Sequence, residues 1–127
     1  MAVVALDTSA FMTAVQHDVR LFDELDRLLG DADLVAPEAV LEELRRLAGS
    51  ASTEATAARV GSDLARERCR IVASETATAD DALVELAREG EVDYVVTNDR
   101  PLRDRLLDAG VPVIGVRGRN ALAITEP

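Results

Sequence analysis

The chain of 127 residues contains no lysine and no tryptophan, and only one cysteine, one histidine, one tyrosine and two phenylalanines. Each scarcity excludes something. A lone Cys69, expected as a small buried hydrophobe beside a strand, cannot close an intramolecular disulfide, and the ligands of a structural zinc site are missing. His17, expected at an exposed helix end, supports no His-based triad. Phe11, Phe22 and Tyr94 fit core positions, so no aromatic surface for stacking bases is in view. Nor is there an apolar run of membrane length: Met1 to Leu6 is stopped by Asp7, too short for a signal peptide or a span. The expectation is a soluble, cytoplasmic protein with no membrane contact, a single domain over residues 1–127 that buries roughly two thirds of its unfolded surface.

What the sequence has in excess is negative charge. Its 24 acidic residues stand against 14 basic ones, every one of them Arg, for a formal charge of −10 on a chain that is 48% hydrophobic. Taken alone, that balance argues against a nucleic-acid ligand, because duplex binders carry a basic patch.

Short apolar runs without alternation punctuate the chain. Ala2-Val3-Val4-Ala5-Leu6 is the first, followed by Leu34-Val35-Ala36, Arg70-Ile71-Val72-Ala73, Asp93-Tyr94-Val95-Val96-Thr97 and Val111 to Val116. Such runs suit strands buried on both faces, as in a parallel sheet. Pro112 is tolerable in the last one at an edge or first-residue position. Helical patterns lie between them. Asp18 can cap a helix with the stripe Phe22, Leu25, Leu28 and Leu29, closed by Gly30. Pro37 suits the first turn of the next, with Val40, Leu44 and Leu47 inward. A polar loop at residues 49–53 precedes an Ala-rich helix ending near Arg68; Thr78 opens another to Gly90, and the last runs roughly from Arg100 to Ala109. The alternation implies an α/β fold, a three-layer α/β/α sandwich with a mostly parallel central sheet.

In such a sheet, ligands bind beyond the carboxyl ends of the strands, where strand order reverses. The residues that follow the strands are acidic or hydroxylic: Asp7-Thr8-Ser9, Glu42-Glu43, Asp80-Asp81 and Asn98-Asp99. Each acid also has a structural explanation. Asp99 can cap a helix, Asp80 and Asp81 suit a first turn, Thr78 and Asp81 have capping-box spacing, and Ser9 could cap the helix after Asp7. Glu43 separates itself by geometry: at ~100° per residue it flanks the buried stripe of Val40, Leu44 and Leu47, while Glu42 points almost opposite. An inward carboxylate needs a cation, and no Lys exists to supply one. The helical wheel slightly favours Asp80 over Asp81 as the inward residue, although angles at a helix terminus do not decide the matter. Carboxylates gathered at one rim repel one another, and hard divalent cations, Mg²⁺ or Mn²⁺, relieve that repulsion. Two such ions ~3.5–4 Å apart activate water and stabilise a leaving oxygen, so the chemistry expected is hydrolysis of a phosphate ester.

Four segments in this order resemble the PIN domain ribonucleases: Val3-Val4-Ala5-Leu6-Asp7-Thr8-Ser9; Val35-Ala36-Pro37 through Leu41-Glu42-Glu43-Leu44; Asp81-Ala82-Leu83-Val84-Glu85-Leu86-Ala87; and Val96-Thr97-Asn98-Asp99. The resemblance implies a catalytic site of Asp7, Glu43, Asp81 and Asp99 holding one or two Mg²⁺ or Mn²⁺ ions for endonucleolytic cleavage of RNA. The family motif places its third acid directly before a small residue and two aliphatics, which picks Asp81. It also implies supporting roles beside the metal for Thr97, Asn98 and Ser9. Two subgroups compete. In VapC-type toxins of toxin–antitoxin pairs the fourth acid begins an Asp-x-Asp-Phe-like segment, whereas Asp99 is followed here by Arg100-Pro101-Leu102. That segment and Val111-Pro112-Val113-Ile114-Gly115-Val116 look more like small archaeal PIN proteins related to ribosomal-RNA processing factors, here without the zinc ribbon some of them carry.

Rival classes fit less well. A receiver domain pairs acids after its first strand and needs a Lys; a phosphatase of the haloacid dehalogenase type wants a second Asp where Ser9 stands. A non-catalytic PIN-like RNA-binding scaffold is the remaining alternative. As partners the resemblance implies RNA, an antitoxin if the chain is VapC-like, and a homodimer through a leftover apolar helix face. Arg45, Arg46, Arg100 and Arg103, near the expected site, are candidates for phosphate contact. The acidity then reads differently. Metal ions cancel part of it and attract phosphate, and Arg without Lys on an acidic body is the balance expected of a halophilic protein, in which the Debye length at ~1 M salt is ~3 Å.

Overall fold

The computed structural model describes every residue from Met1 to Pro127. Six strands and six helices follow in the order β1 (Ala2–Leu6), α1 (Thr8–Gln16), α2 (Leu21–Leu29), β2 (Ala32–Pro37), α3 (Glu38–Ala48), α4 (Ala55–Arg68), β3 (Arg70–Val72), α5 (Ala79–Arg88), β4 (Tyr94–Val96), α6 (Arg100–Asp108), β5 (Val113–Arg117) and β6 (Ala121–Thr125). The sheet order is β3-β2-β1-β4-β5-β6, parallel throughout except for β6, which runs antiparallel to β5. The expected α/β sandwich with a mostly parallel sheet is therefore the fold observed.

The order has a consequence for function. From β1 the chain first builds outward through β2 to β3, then returns across β1 to add β4 and β5. The reversal leaves a crevice between the ends of β1 and β4, whose residues Leu6 and Val96 pair in register. Asp7 and Thr97 are the next residue of each strand, so the topology alone sets them side by side.

The sheet is covered on both faces. Val4, Ala5, Leu6, Val35, Ala36, Val95, Val96 and Ile114 are buried in the strands, and Phe11, Leu44, Leu83, Leu102 and Leu106 reach them from the helices in one continuous core. Gly61 permits a close helix contact: a Cβ there would stand 3.2 Å from Phe11 Cβ and 3.4 Å from Leu44 Cδ2, so a side chain would crowd the packing of α4 against α1 and α3. Burial also pushes the Cys69 thiol up to about 12, which makes it the inert hydrophobe expected.

Two local expectations change. Asp18 does not cap α2; it sits at φ 52° in the turn between α1 and α2, where a short polar side chain tolerates the left-handed region, and Arg20 takes the N-cap position. The strand β6 is additional. Its signal was the turn at Gly118 to Asn120 between two β-compatible runs, which closes a hairpin with Arg117 paired to Ala121. Of the large hydrophobic residues only Met1 and Val60 are exposed. No helix is long and apolar enough to cross a membrane.

Candidate active site

Asp7 is the centre of the crevice. It ends β1 and holds the N-cap position of α1, yet its carboxylate caps nothing and turns instead toward β4. Only 4% of the residue is exposed. Thr97 Oγ1 donates to Asp7 Oδ2 at 2.8 Å and Ser9 Oγ donates to the same oxygen at 2.9 Å. Burial pushes the Asp7 carboxyl above its ordinary range; the two hydroxyls and the Thr8 amide pull it back down, and the charge of Glu43 pushes it up again. No cation contributes to that balance.

The hydroxyls fix the geometry of the β4–α6 turn. Thr97 is buried, and its Oγ1 also accepts the Asp99 N–H at 3.1 Å. Ser9, read from sequence as a helix cap, lies inside α1, and its Oγ accepts the Asn98 N–H at 3.0 Å. Asn98 staples the turn to its neighbours: Nδ2 donates to Thr13 Oγ1 at 3.2 Å, and Oδ1 accepts the Val116 N–H at 2.8 Å. Gly115 makes that approach possible, since a Cβ there would meet Thr97 O at 3.1 Å and Asn98 Oδ1 at 3.4 Å. Thr97→Val keeps the shape but removes a donor from Asp7 and an acceptor from the Asp99 amide. It should destabilise the protein by about 1–3 kcal/mol, which thermal unfolding beside Ser9→Ala will measure.

Asp99 follows its structural explanation and still belongs to the rim. Its Oδ1 accepts the Leu102 N–H at 3.0 Å and caps α6, with Pro101 in the first turn. Capping engages one carboxylate oxygen only. Glu43 is half-buried on α3, as its helical phase requires, and it pairs with no Arg while acting electrostatically on Asp7. Arg45 and Arg46 are exposed on the same helix.

The third acid is where structure and expectation part. Asp81, the choice implied by the family motif, points away from the crevice: its Oδ1 accepts from Arg105 Nη2 at 2.9 Å on an exposed surface. That guanidinium, with a hydrogen bond from the Thr78 side, holds the Asp81 carboxyl below its ordinary range. The reason is the cap. Thr78 Oγ1 accepts the Asp81 N–H at 3.2 Å, which fixes the phase of α5 and leaves Asp80 on the inner side. Asp80 is half-buried; burial first, then the charges of Asp7 and Asp99, push its carboxyl up, with Arg105 as the only opposing cation.

The structure thus couples Asp7 to Glu43, and Asp80 to Asp7 and Asp99, while the Asp81 carboxylate is paired with Arg105. No three His, Cys, Asp or Glu side chains converge closely enough to ligate one ion as they stand. The donor set nevertheless suits a hard divalent cation, being carboxylate oxygen throughout, buried at its centre, and without an Arg to balance Asp7.

Residues 4–119 match the family described as PIN like domain. The chain belongs to that family. It is 29% identical over 121 residues to Ribonuclease VapC4 of Methanocaldococcus jannaschii, an alignment covering 93% of this chain and 92% of that protein. The PIN fold is shared with the PIN domain endonuclease Utp24, at a TM-score of 0.80 and 23% identity over 98% of this chain and 92% of that one. A domain of a functionally unknown protein from Methanocaldococcus jannaschii has it too, at a TM-score of 0.64 and 16% identity over 93% of each chain. The chain is thus a PIN-domain nuclease homologue with a relative named as a ribonuclease, in agreement with the resemblance read from its sequence.

Proposed function

We propose that this chain is a metal-dependent endoribonuclease, a single catalytic domain over residues 1–127 that hydrolyses RNA phosphodiester bonds at the crevice between β1 and β4. The observation that carries the reading is the buried, cation-free Asp7 held by two hydroxyls at the switch point of a PIN fold. Asp7, Asp99, Asp80 and Glu43 would hold one or two Mg²⁺ or Mn²⁺ ions, with Asp80 taking the place that the motif gave to Asp81. Bound there, such an ion lowers the pKa of a water and offsets the charge of the leaving oxygen. The chain's own part is orientation. Thr97 and Ser9 fix one oxygen of Asp7, and Asn98 locks the turn that presents Asp99.

Labelled structured RNA incubated with the protein and Mn²⁺ tests this. Cleavage that stops in EDTA and returns with Mn²⁺ is the expected result; no cleavage across Mg²⁺, Mn²⁺ and a range of KCl concentrations overturns it. The KCl range is included because the Arg-only, acidic composition supports a halophilic, intracellular setting.

An RNA-processing role is the first reading of biological purpose, supported by Arg100-Pro101-Leu102 after Asp99 in place of the toxin-type segment. The likeness to Ribonuclease VapC4 favours a second, a toxin with an antitoxin partner. Growth arrest on expression, relieved by the product of a small adjacent gene, separates the two.

A further inference from the structure

The acids are not the only charged feature at this rim. A cleft of about 870 Å³ opens beside Asp99, between the end of α1, the start of α6 and the β5–β6 hairpin. Its lining includes Arg100, Arg103, Arg117, Arg119 and His17, against Asp99 as its single acid. On a chain of net charge −10 that is a local inversion of sign.

These arginines are also available. Arg20, Arg27, Arg66, Arg70 and Arg105 form ion pairs with carboxylates, and Arg68 lies over the Phe22 ring at 4.2 Å. Arg100, Arg117 and Arg119 pair with none, and Arg103 has only its neighbour Asp104 at 3.6 Å, with its buried Nε making no hydrogen bond. Arg117 and Arg119 stand on the exposed hairpin tip around Gly118 at φ 71°, a turn closed by the antiparallel β6.

We propose that this cleft seats the phosphodiester backbone of a single-stranded RNA segment adjoining the scissile bond, so that the substrate leaves the carboxylates toward the β5–β6 turn. The proposal rests on the nuclease reading above, deepening it from a reaction to a path for the strand. Guanidinium forks match phosphate oxygens, and the volume lies in the range of ligand sites. No Phe, Tyr or Trp lines the cleft, so the strand is held chiefly by its backbone.

The test is fluorescence anisotropy of a labelled 12-nucleotide RNA in EDTA, where nothing is cut, over the salt range in which far-UV circular dichroism shows every variant folded. Arg117→Ala/Arg119→Ala should weaken binding about tenfold and lower the slope of log affinity against log salt by about 1.4, at ~0.7 per phosphate contact. Arg119→Glu should weaken it on its own. Arg59→Ala/Arg88→Ala removes the same charge outside the cleft and should leave the slope as in wild type. Homopolymers should bind within a few-fold of one another. Equal loss in both double variants overturns the cleft, as does tighter binding of poly-glutamate, the outcome expected of a protein partner. The outcomes separate from the nuclease reading: RNA bound through these arginines but never cleaved sinks catalysis alone, while RNA cleaved with no dependence on them sinks the cleft alone.

Discussion

Asp7→Asn should reduce metal-dependent RNA cleavage by at least about 100-fold, the upper end of what is lost with a residue that only orients a metal ligand, and should leave the protein no less stable than wild type in chelator. Both halves follow from one environment. Asp7 is nearly sealed from water, and its ionised form is held by two hydroxyls and no cation. Its carboxyl is therefore raised in the fold. A raised carboxyl stabilises the fold below its unfolded value and loses that contribution as pH rises through the folded value. At neutral pH the charged Asp7 is a local cost, and asparagine removes it while Thr97 and Ser9 rotate their hydroxyls to suit. The difference in melting temperature between variant and wild type should widen in EDTA as pH climbs from about 4 toward 7. Saturating Mn²⁺ should reverse the order. Ligand at 100 times its dissociation constant adds about 2.7 kcal/mol, or roughly 10 °C for a domain of this size, and only to the chain that binds it. Unimpaired cleavage by Asp7→Asn, or an equal Mn²⁺ shift in both proteins, would remove Asp7 from the metal site.

Legibility in the sequence follows the strength of the local signal. Runs such as Val3-Val4-Ala5-Leu6 announce buried parallel strands because nothing else tolerates so much unbroken apolar surface, and the structure places β1 at the centre of the sheet. Glu43 was legible because a helix interior has a fixed phase. β6 was not, since Ala121-Leu122-Ala123-Ile124-Thr125 is short and weakly apolar and becomes a strand only by pairing with β5. Asp18 failed as a cap because cap chemistry does not encode the path of the chain; the turn after α1 takes Asp18 into the left-handed region instead. The basic cleft was half visible. Arg100 and Arg103 lie near the site in sequence, but Arg117 and Arg119 join them only through the hairpin.

The adjacent pair Asp80 and Asp81 carries the sharpest contrast between motif and geometry. Asp80→Asn should lower cleavage by about 100-fold or more, while Asp81→Asn should stay within about threefold of wild type and lose only an exposed ion pair. The cap separates the two acids. With Thr78 holding the Asp81 amide, the two side chains diverge by about 100°: Asp80 lies in the field of Asp7 and Asp99, and Asp81 lies on Arg105. A side chain already neutralised by Arg gains little from a metal, whereas Asp80, raised by burial and two like charges, gains most from one. Arg105→Ala by itself gives the same result under the alternative in which Arg105 merely stores Asp81 until an ion arrives. If Asp81 were the ligand, freeing it from Arg105 should tighten the Mn²⁺ dependence of cleavage; if Asp80 is the ligand, removing the one cation that opposes its repulsion should tighten Mn²⁺ binding in Asp81→Asn as well. The decisive measurement is therefore Arg105→Ala combined with Asp81→Asn. Retained cleavage with a lower Mn²⁺ midpoint assigns the third acid to Asp80, and loss of cleavage returns it to Asp81.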